Sequence, residues 1–159
     1  MTTSANPSAP SFDTQQACEQ LRALSALERM RWGLETFGDG FALTTSFGIQ
    51  AAVSLHLVSQ LERPVPVIWV DTGYLPPETY QYSQLLVEHL GLKLHVAQSG
   101  VSPARMEALH GRLWETGQVE DLETYHRIRK VEPLDRALND LQVTCWASGV
   151  RGGQTDHRK

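Results

Sequence analysis

The stretch that most limits the fold runs from Phe41 to Gln60, FALTTSFGIQAAVSLHLVSQ. An apolar, β-branched run from Phe41 to Thr45 predicts a strand. Small residues at Ser46-Phe47-Gly48 predict a turn, and the pattern from Ile49 to Leu61 fits a helix. A strand, a tight turn and a helix in that order present backbone N–H groups at the positive end of a helix dipole. That arrangement suits an oxyanion such as phosphate or sulfate. Gly48 lets the backbone come close to the anion, and Thr45, Ser46 and Gln50 offer side-chain donors. Strand–helix junctions also use Ser and Gly for turn chemistry alone, so the rest of the chain has to decide.

The remaining elements alternate in kind. Residues 1–12 are rich in Ser, Ala and Pro and are expected to be a disordered lead-in to a single domain over 13–159. Asp13 with Gln16 predicts a helix N-cap, and the apolar spacing that follows fits two helices meeting near Ser25. Gly38-Asp39-Gly40 turns into the first strand. The apolar run Val65–Val70 predicts a buried parallel strand, with Pro66 near its start, ending at Asp71-Thr72-Gly73. A helix from Pro76 to Gly91, a strand from Leu92 to Ala97 and a partly helical region from Pro103 to Tyr125 follow. The basic run Arg127–Lys130 leads into a short helix ending near Leu141, and Val143–Ala147 predicts the fourth strand. Alternation of this kind implies an α/β fold with a doubly wound parallel sheet. Right-handed crossovers would gather the loops Ser46–Gln50, Asp71–Gly73 and Gly149–Thr155 on one rim, where such sheets bind ligands. Asp71 there could touch a ligand or only cap its own turn; ligand contact is the favoured expectation.

Charge and cysteine content exclude other classes. The 159 residues carry a net charge of -4, which argues against a nucleic-acid surface. Basic residues concentrate late: residues 1–100 hold 5 basic and 9 acidic side chains, and residues 101–159 hold 9 of each. An anionic ligand therefore finds its cations in the last third. Cys18 and Cys145 have no CxxC or zinc-type spacing and no disulfide framework is expected, which suits a reducing, cytoplasmic setting. No run approaches about 18 apolar residues, so no membrane span is expected. The six histidines form no metal signature.

Taken together, TTSFGIQAAV (44–53), VDTGYLPPETY (70–80), GRLWE (111–115), KVEPLDRAL (130–138) and SGVRGGQ (148–154) resemble the phosphoadenylyl-sulfate reductase family of sulfate assimilation. The resemblance covers most of residues 20–155 in family order. It implies an adenine-nucleotide α-hydrolase-like, Rossmann-like fold with a modified pyrophosphate loop. It also implies reduction of 3′-phosphoadenylyl sulfate to sulfite and adenosine 3′,5′-bisphosphate, with thioredoxin or glutaredoxin as electron donor and no bound cofactor. The substrate-binding residues so implied are Thr45, Ser46, Phe47, Gly48, Ile49 and Gln50, then Asp71, Thr72 and Gly73, and finally Lys130, Arg151 and Gln154. Lys130 and Arg151 would be the cations, Asp71 and Thr72 would hold the adenosine part, and Trp114 is either a core anchor or a ligand contact. Family members are often homodimers.

Three departures refine this. Relatives that reduce adenylyl sulfate hold an iron–sulfur cluster through cysteine pairs, one just before the basic motif, where this chain has Tyr125-His126. Four thiolates are needed and the chain has two cysteines, so the 3′-phosphorylated substrate and a cluster-free protein are expected. Gly152 stands where the family usually has a second arginine beside Arg151. The family nucleophile belongs to a Glu-Cys-Gly-[Leu/Ile]-His tail that these 159 residues do not contain, so no catalytic residue is assigned. The expectation is a C-terminally shortened reductase that binds nucleotide without turnover. A non-catalytic nucleotide- or partner-binding module is the alternative. An ATP pyrophosphatase would want a Ser-Gly-Gly-x-Asp-Ser loop, which Ser46–Gln50 does not provide.

Overall fold

The computed structural model describes residues 13–150; the lead-in 1–12, Arg151, Gly152 and Gln154 lie outside the described residues. The chain opens with α1 (Thr14–Ala23) and α2 (Ala26–Phe37). Asp13 caps α1 by accepting from the Gln15 and Gln16 N–H groups, and Ser25 with Glu28 makes a reciprocal capping box on α2. A single tight turn at Gly38–Gly40 leads into β1 (Phe41–Thr45). Then come α3 (Ala51–Ser59), β2 (Pro66–Asp71), α4 (Pro77–Leu90) and β3 (Lys93–Gln98). The region after β3 holds α5 (Pro103–His110), α6 (Val119–His126) and α7 (Glu132–Asp140) before β4 (Cys145–Ser148).

The four strands form one parallel sheet in the order β3-β2-β1-β4. Alternate strand residues point to opposite faces. Phe41, Leu43, Val67 and Trp69 pack with Met30, Leu34, Leu55 and Val58 from α2 and α3, and α4 adds Tyr80, Leu86 and Leu90. Ala42, Ile68 and Ala97 face the other way, onto Leu134, Ala137 and Leu138 of α7. Both faces are thus covered, as the sequence pattern predicts for a doubly wound sheet. The β1–α3–β2 and β2–α4–β3 connections cover one face, whereas the β3-to-β4 connection carries α7 across the other. Strand order consequently reverses beside β1.

The sequence has the basic run Arg127–Lys130 leading into a short helix. In the structure the run is itself helical, and helix continues from α6 into α7 through a π-turn at Arg127–Val131, despite Pro133. Pro133 has no N–H to give the Arg129 carbonyl four residues back, and its ring crowds that carbonyl. The chain responds by widening one turn, so that the Glu132 N–H reaches the Arg127 carbonyl five residues back. The widening re-aims the helix between two packing duties. Ile128 and Tyr125 pack with Met106 and Leu113 before it, and Leu134 and Ala137 pack on the sheet after it.

Close packing of α2 on β1 depends on Gly33, where an added Cβ would stand 2.5 Å from the Phe41 ring. Replacing Gly33 by Ala should improve helix propensity by about 1 kcal/mol. Overpacking should cost about 1–3 kcal/mol. Gly33→Ala is expected to lower the urea unfolding midpoint; a raised midpoint would mean that the buried Phe41 ring swings aside freely.

Candidate functional site

A cavity of about 610 Å³ opens where the strand order reverses, at the carboxyl ends of β1 and β4. Thr44 and Thr45 enter it from the end of β1, Ser46, Gly48, Ile49 and Gln50 from the loop, and Ala51 and Ser54 from the first turn of α3. Ser148, Gly149 and Val150 close the opposite wall. The two walls are tied together by the β1–β4 ladder and by the Thr44 hydroxyl, which donates to the Ala147 carbonyl at 3.3 Å. Five hydroxyls line this space, and among the described residues the lining holds no charged side chain.

The loop after β1 is held by its own side chains. Thr45 Oγ1 accepts from the Phe47 N–H at 3.2 Å, and Ser46 Oγ accepts from the Gly48 N–H at 3.4 Å. Phe47 adopts a left-handed backbone, φ 51°, which swings its ring down onto Trp69 at 5.0 Å between centroids. Phe47 is buried and anchors the loop from beneath, so its place is in the core and not on the cavity lining. Ile49 is the reverse: it lines the cavity and is 90% exposed.

Asp71 and Thr72 reach the same rim from β2, and both are buried. The Asp71 carboxylate is fully engaged within the protein. Its Oδ1 accepts from the Tyr80 hydroxyl at 2.7 Å and from the Gly73 N–H at 2.8 Å, and its Oδ2 accepts from Gln98 at 2.7 Å. Burial pushes this carboxyl up, but the three donors and the Arg129 charge outweigh it and hold the group below its ordinary value. Asp71 thus holds the turn after β2, and it is absent from the lining of the cavity between β1 and β4. Gly73 takes φ 76°, and the Thr72 hydroxyl accepts from the Tyr74 N–H at 3.3 Å.

Lys130 is exposed on the π-turn with Nζ 6.0 Å from the centre of the Tyr125 ring, and it too is absent from the lining. Its neighbour Arg129 is the buried one, a residue that the sequence reading passed over. The only signal for it was its membership of the Arg127–Lys130 run. Ser54 and Ser148 were not singled out as site residues either; Ser54 reads as helix interior and Ser148 as the start of the loop after the fourth strand. Trp114 packs edge-on to Tyr74 at 4.7 Å and to Tyr125 at 5.5 Å, in an aromatic cluster away from the cavity. Tyr74 donates to Glu107 at 2.9 Å; burial and that carboxylate push its phenol up to about 12. Among the described residues no group of three or more His, Cys, Asp or Glu could hold a metal ion. No helix among them is long and apolar enough to cross a membrane.

Residues 40–159 match the family model for the phosphoadenosine phosphosulfate reductase domain. The chain belongs to this family. A phosphoadenosine 5′-phosphosulfate reductase of Synechococcus is 55% identical over 140 residues, covering 88% of this chain and 60% of the relative. That of Synechocystis is 52% identical over 140 residues, covering 88% of this chain and 56% of the relative. The phosphoadenylyl-sulfate reductase of Candida auris, solved as a phosphate complex, is 30% identical with a TM-score of 0.78 over 92% of this chain and 72% of that one. The sheet and its flanking helices are therefore those of the reductase family, as the sequence resemblance implied. The chain spans roughly three-fifths of the length of the curated relatives it matches.

Because its folded value is lowered, the Asp71 carboxylate contributes stability that is complete above the ordinary carboxylate range. That contribution is lost as pH falls through the folded value. Asp71→Asn should cost about 1–3 kcal/mol at pH 7 by leaving buried donors mismatched. The gap from the parent protein should narrow in urea titrations near pH 3; a gap of constant size would show that the charge on Asp71 contributes nothing.

Proposed function

We propose that this chain carries the nucleotide-binding part of a phosphoadenylyl-sulfate reductase and takes 3′-phosphoadenylyl sulfate, or its product adenosine 3′,5′-bisphosphate, in the cavity between β1 and β4. The observation that carries the reading is the position of that cavity. It lies at the strand-order reversal, on the carboxyl rim of a parallel sheet, against a Ser/Gly loop that opens a helix. The phosphate bound by the Candida auris relative accords with an oxyanion ligand for the family.

In this reading Thr45, Ser46, Gly48, Ile49 and Gln50 surround the phosphosulfate, and Phe47 holds their loop from below. The Thr45 and Ser46 bonds to the loop amides are long, at 3.2 and 3.4 Å, so a charged ligand oxygen can take over those donors. Thr72 and Gly73 form the neighbouring rim, held there by Asp71. Countercharge has to come from outside the neutral lining. Arg151 follows the lining residue Val150 in the chain and is the proposed cation, with Gln154 and Lys130 as further polar contacts.

The reaction needs a thiolate. It attacks the sulfate sulfur, the S–O bond to phosphate breaks, and the nucleotide leaves with the bonding pair. A dithiol protein of the thioredoxin or glutaredoxin class then attacks the resulting S-sulfocysteine at the cysteine sulfur. Sulfite departs and the donor ends as a disulfide. Neither cysteine of this chain addresses the cavity. Cys145 pairs with Phe41 at the opposite, amino end of the sheet, and burial pushes its thiol up; Cys18 is exposed on α1. Binding without turnover is therefore the activity proposed for these 159 residues.

Calorimetric titration with adenosine 3′,5′-bisphosphate, with AMP as comparator, tests the site. Saturable binding that prefers the bisphosphate is expected, and a folded sample that binds neither would overturn the reading. Arg151→Gln should weaken bisphosphate binding about tenfold to a hundredfold through loss of a charge-assisted bond, and weaken AMP binding less.

A further inference from the structure

We propose that Arg129 is a positioning residue for the nucleotide site, set in place by the π-turn that Pro133 imposes. The functional half of this inference rests on the nucleotide-binding reading above; the structural half does not.

Arg129 is 2% exposed. Its Nε donates to the Thr72 carbonyl at 2.8 Å, its Nη2 donates to the same oxygen, and its Nη1 donates to the Val101 carbonyl. The guanidinium also lies 5.5 Å from the centre of the Tyr74 ring. None of these acceptors is a carboxylate. The buried Asp71 carboxylate is its electrostatic partner, held down by the Arg129 charge without a direct bond. Burying such a pair is still expensive, and a fold that needed only packing there would place an apolar side chain at that position. What the charge does is visible in its partners. It spans two separate rim segments, the turn after β2 and the loop before α5, and holds both.

The turn is shaped to receive it. Gly73 sits at φ 76°, and a Cβ there would stand 2.7 Å from Arg129 Nη2 and 2.7 Å from Pro103 Cγ. Residues 72–74 are thereby clamped from three directions. Asp71 takes the Gly73 N–H, the Thr72 hydroxyl takes the Tyr74 N–H, and Arg129 takes the Thr72 carbonyl. β2 lies beside β1, with Trp69 opposite Thr45, and Phe47 of the anion loop rests on that same Trp69. A shift of the Thr72–Tyr74 turn would therefore be felt where the nucleotide binds.

The π-turn explains why Arg129, and not Lys130, is the inward residue. One residue of helical register is about 100° of rotation. Without the widened turn, Arg129 could not face the rim while Ile128 and Ala137 both kept their packing. Pro133 is fully buried and is the local cause of the widening.

The experiment compares the full chain with Arg129→Met, Arg129→Lys and Pro133→Ala, by amide hydrogen exchange and by bisphosphate titration. In Arg129→Met the Gly73 and Tyr74 amides should exchange at least about tenfold faster, while Leu43 and Ile68 in the sheet keep their protection. Nucleotide affinity should fall about tenfold to a hundredfold. Arg129→Lys, which keeps the charge but not the fork, should recover part of both losses. Pro133→Ala should loosen the same two amides although Arg129 is still present.

Unchanged rim amides in Arg129→Met and Arg129→Lys would overturn the proposal, and so would full nucleotide affinity in either variant. Protection at Gly73 and Tyr74 retained in Pro133→Ala would overturn the part assigned to the π-turn. If the parent chain binds no nucleotide, the functional reading fails, and the exchange data still decide whether Arg129 orders the rim.

Discussion

The pairing of β4 with β1 is the contact on which the rest of the structure hangs. It is a short ladder, Phe41 to Thr44 against Cys145 to Ser148. Had the fourth strand been added beyond β3, the sheet would wind in one direction and its carboxyl rim would have no crevice. By returning to the far side of β1, the chain makes β1 central and reverses the strand order beside it, where the ends of β1 and β4 border the cavity. The same return obliges the long β3-to-β4 connection to cross the face that Ala42, Ile68 and Ala97 leave uncovered. That crossing brings α7 onto the sheet and the basic π-turn under the end of β2. Cavity, second core and buried arginine are three consequences of one strand pairing.

The elements were legible because their local and tertiary demands agree. The apolar run Val65–Val70 has to be buried on both faces to be stable, and in the structure it is a strand covered by α2, α3 and α4 on one side and α7 on the other. That the strand-end loops share one rim follows from parallel pairing, which the alternation of strand and helix patterns already demands. Side-chain direction at the rim was harder to read. Asp71 turns inward because Tyr80 and Gln98 donate to it from nine and 27 residues away. Nothing within the Asp-Thr-Gly turn announces those partners. Phe47 turns down because Trp69 on the next strand offers an aromatic edge.

The basic run shows the same limit more sharply. Arg129 and Lys130 are adjacent and of like charge, and a sequence reading has no reason to bury either. A proline in a helical pattern reads as a stop because, in isolation, the lost hydrogen bond and the ring clash are decisive. Here packing on both sides of Pro133 offsets that cost, and the helix widens instead of ending. The inward residue is chosen by the register of the widened turn, which only the two hydrophobic clusters before and after it specify.

The loop proposed to bind the anion is lined, among the described residues, by neutral groups, and its shape is set from within the protein. A left-handed Phe47 costs about 1–2 kcal/mol in backbone energy. Burying its ring against Trp69 returns about 1.5–3 kcal/mol, so the core rather than the ligand holds the loop in shape. With the backbone fixed from below, the Phe47 and Gly48 amides are satisfied from above by the Thr45 and Ser46 hydroxyls. These are weak, neutral acceptors on short side chains that can rotate away. An anionic oxygen makes the stronger bond to the same N–H groups and meets no folding cost in doing so. In the proposed site the loop would gain affinity by exchanging one set of acceptors for another, and not by rebuilding its backbone.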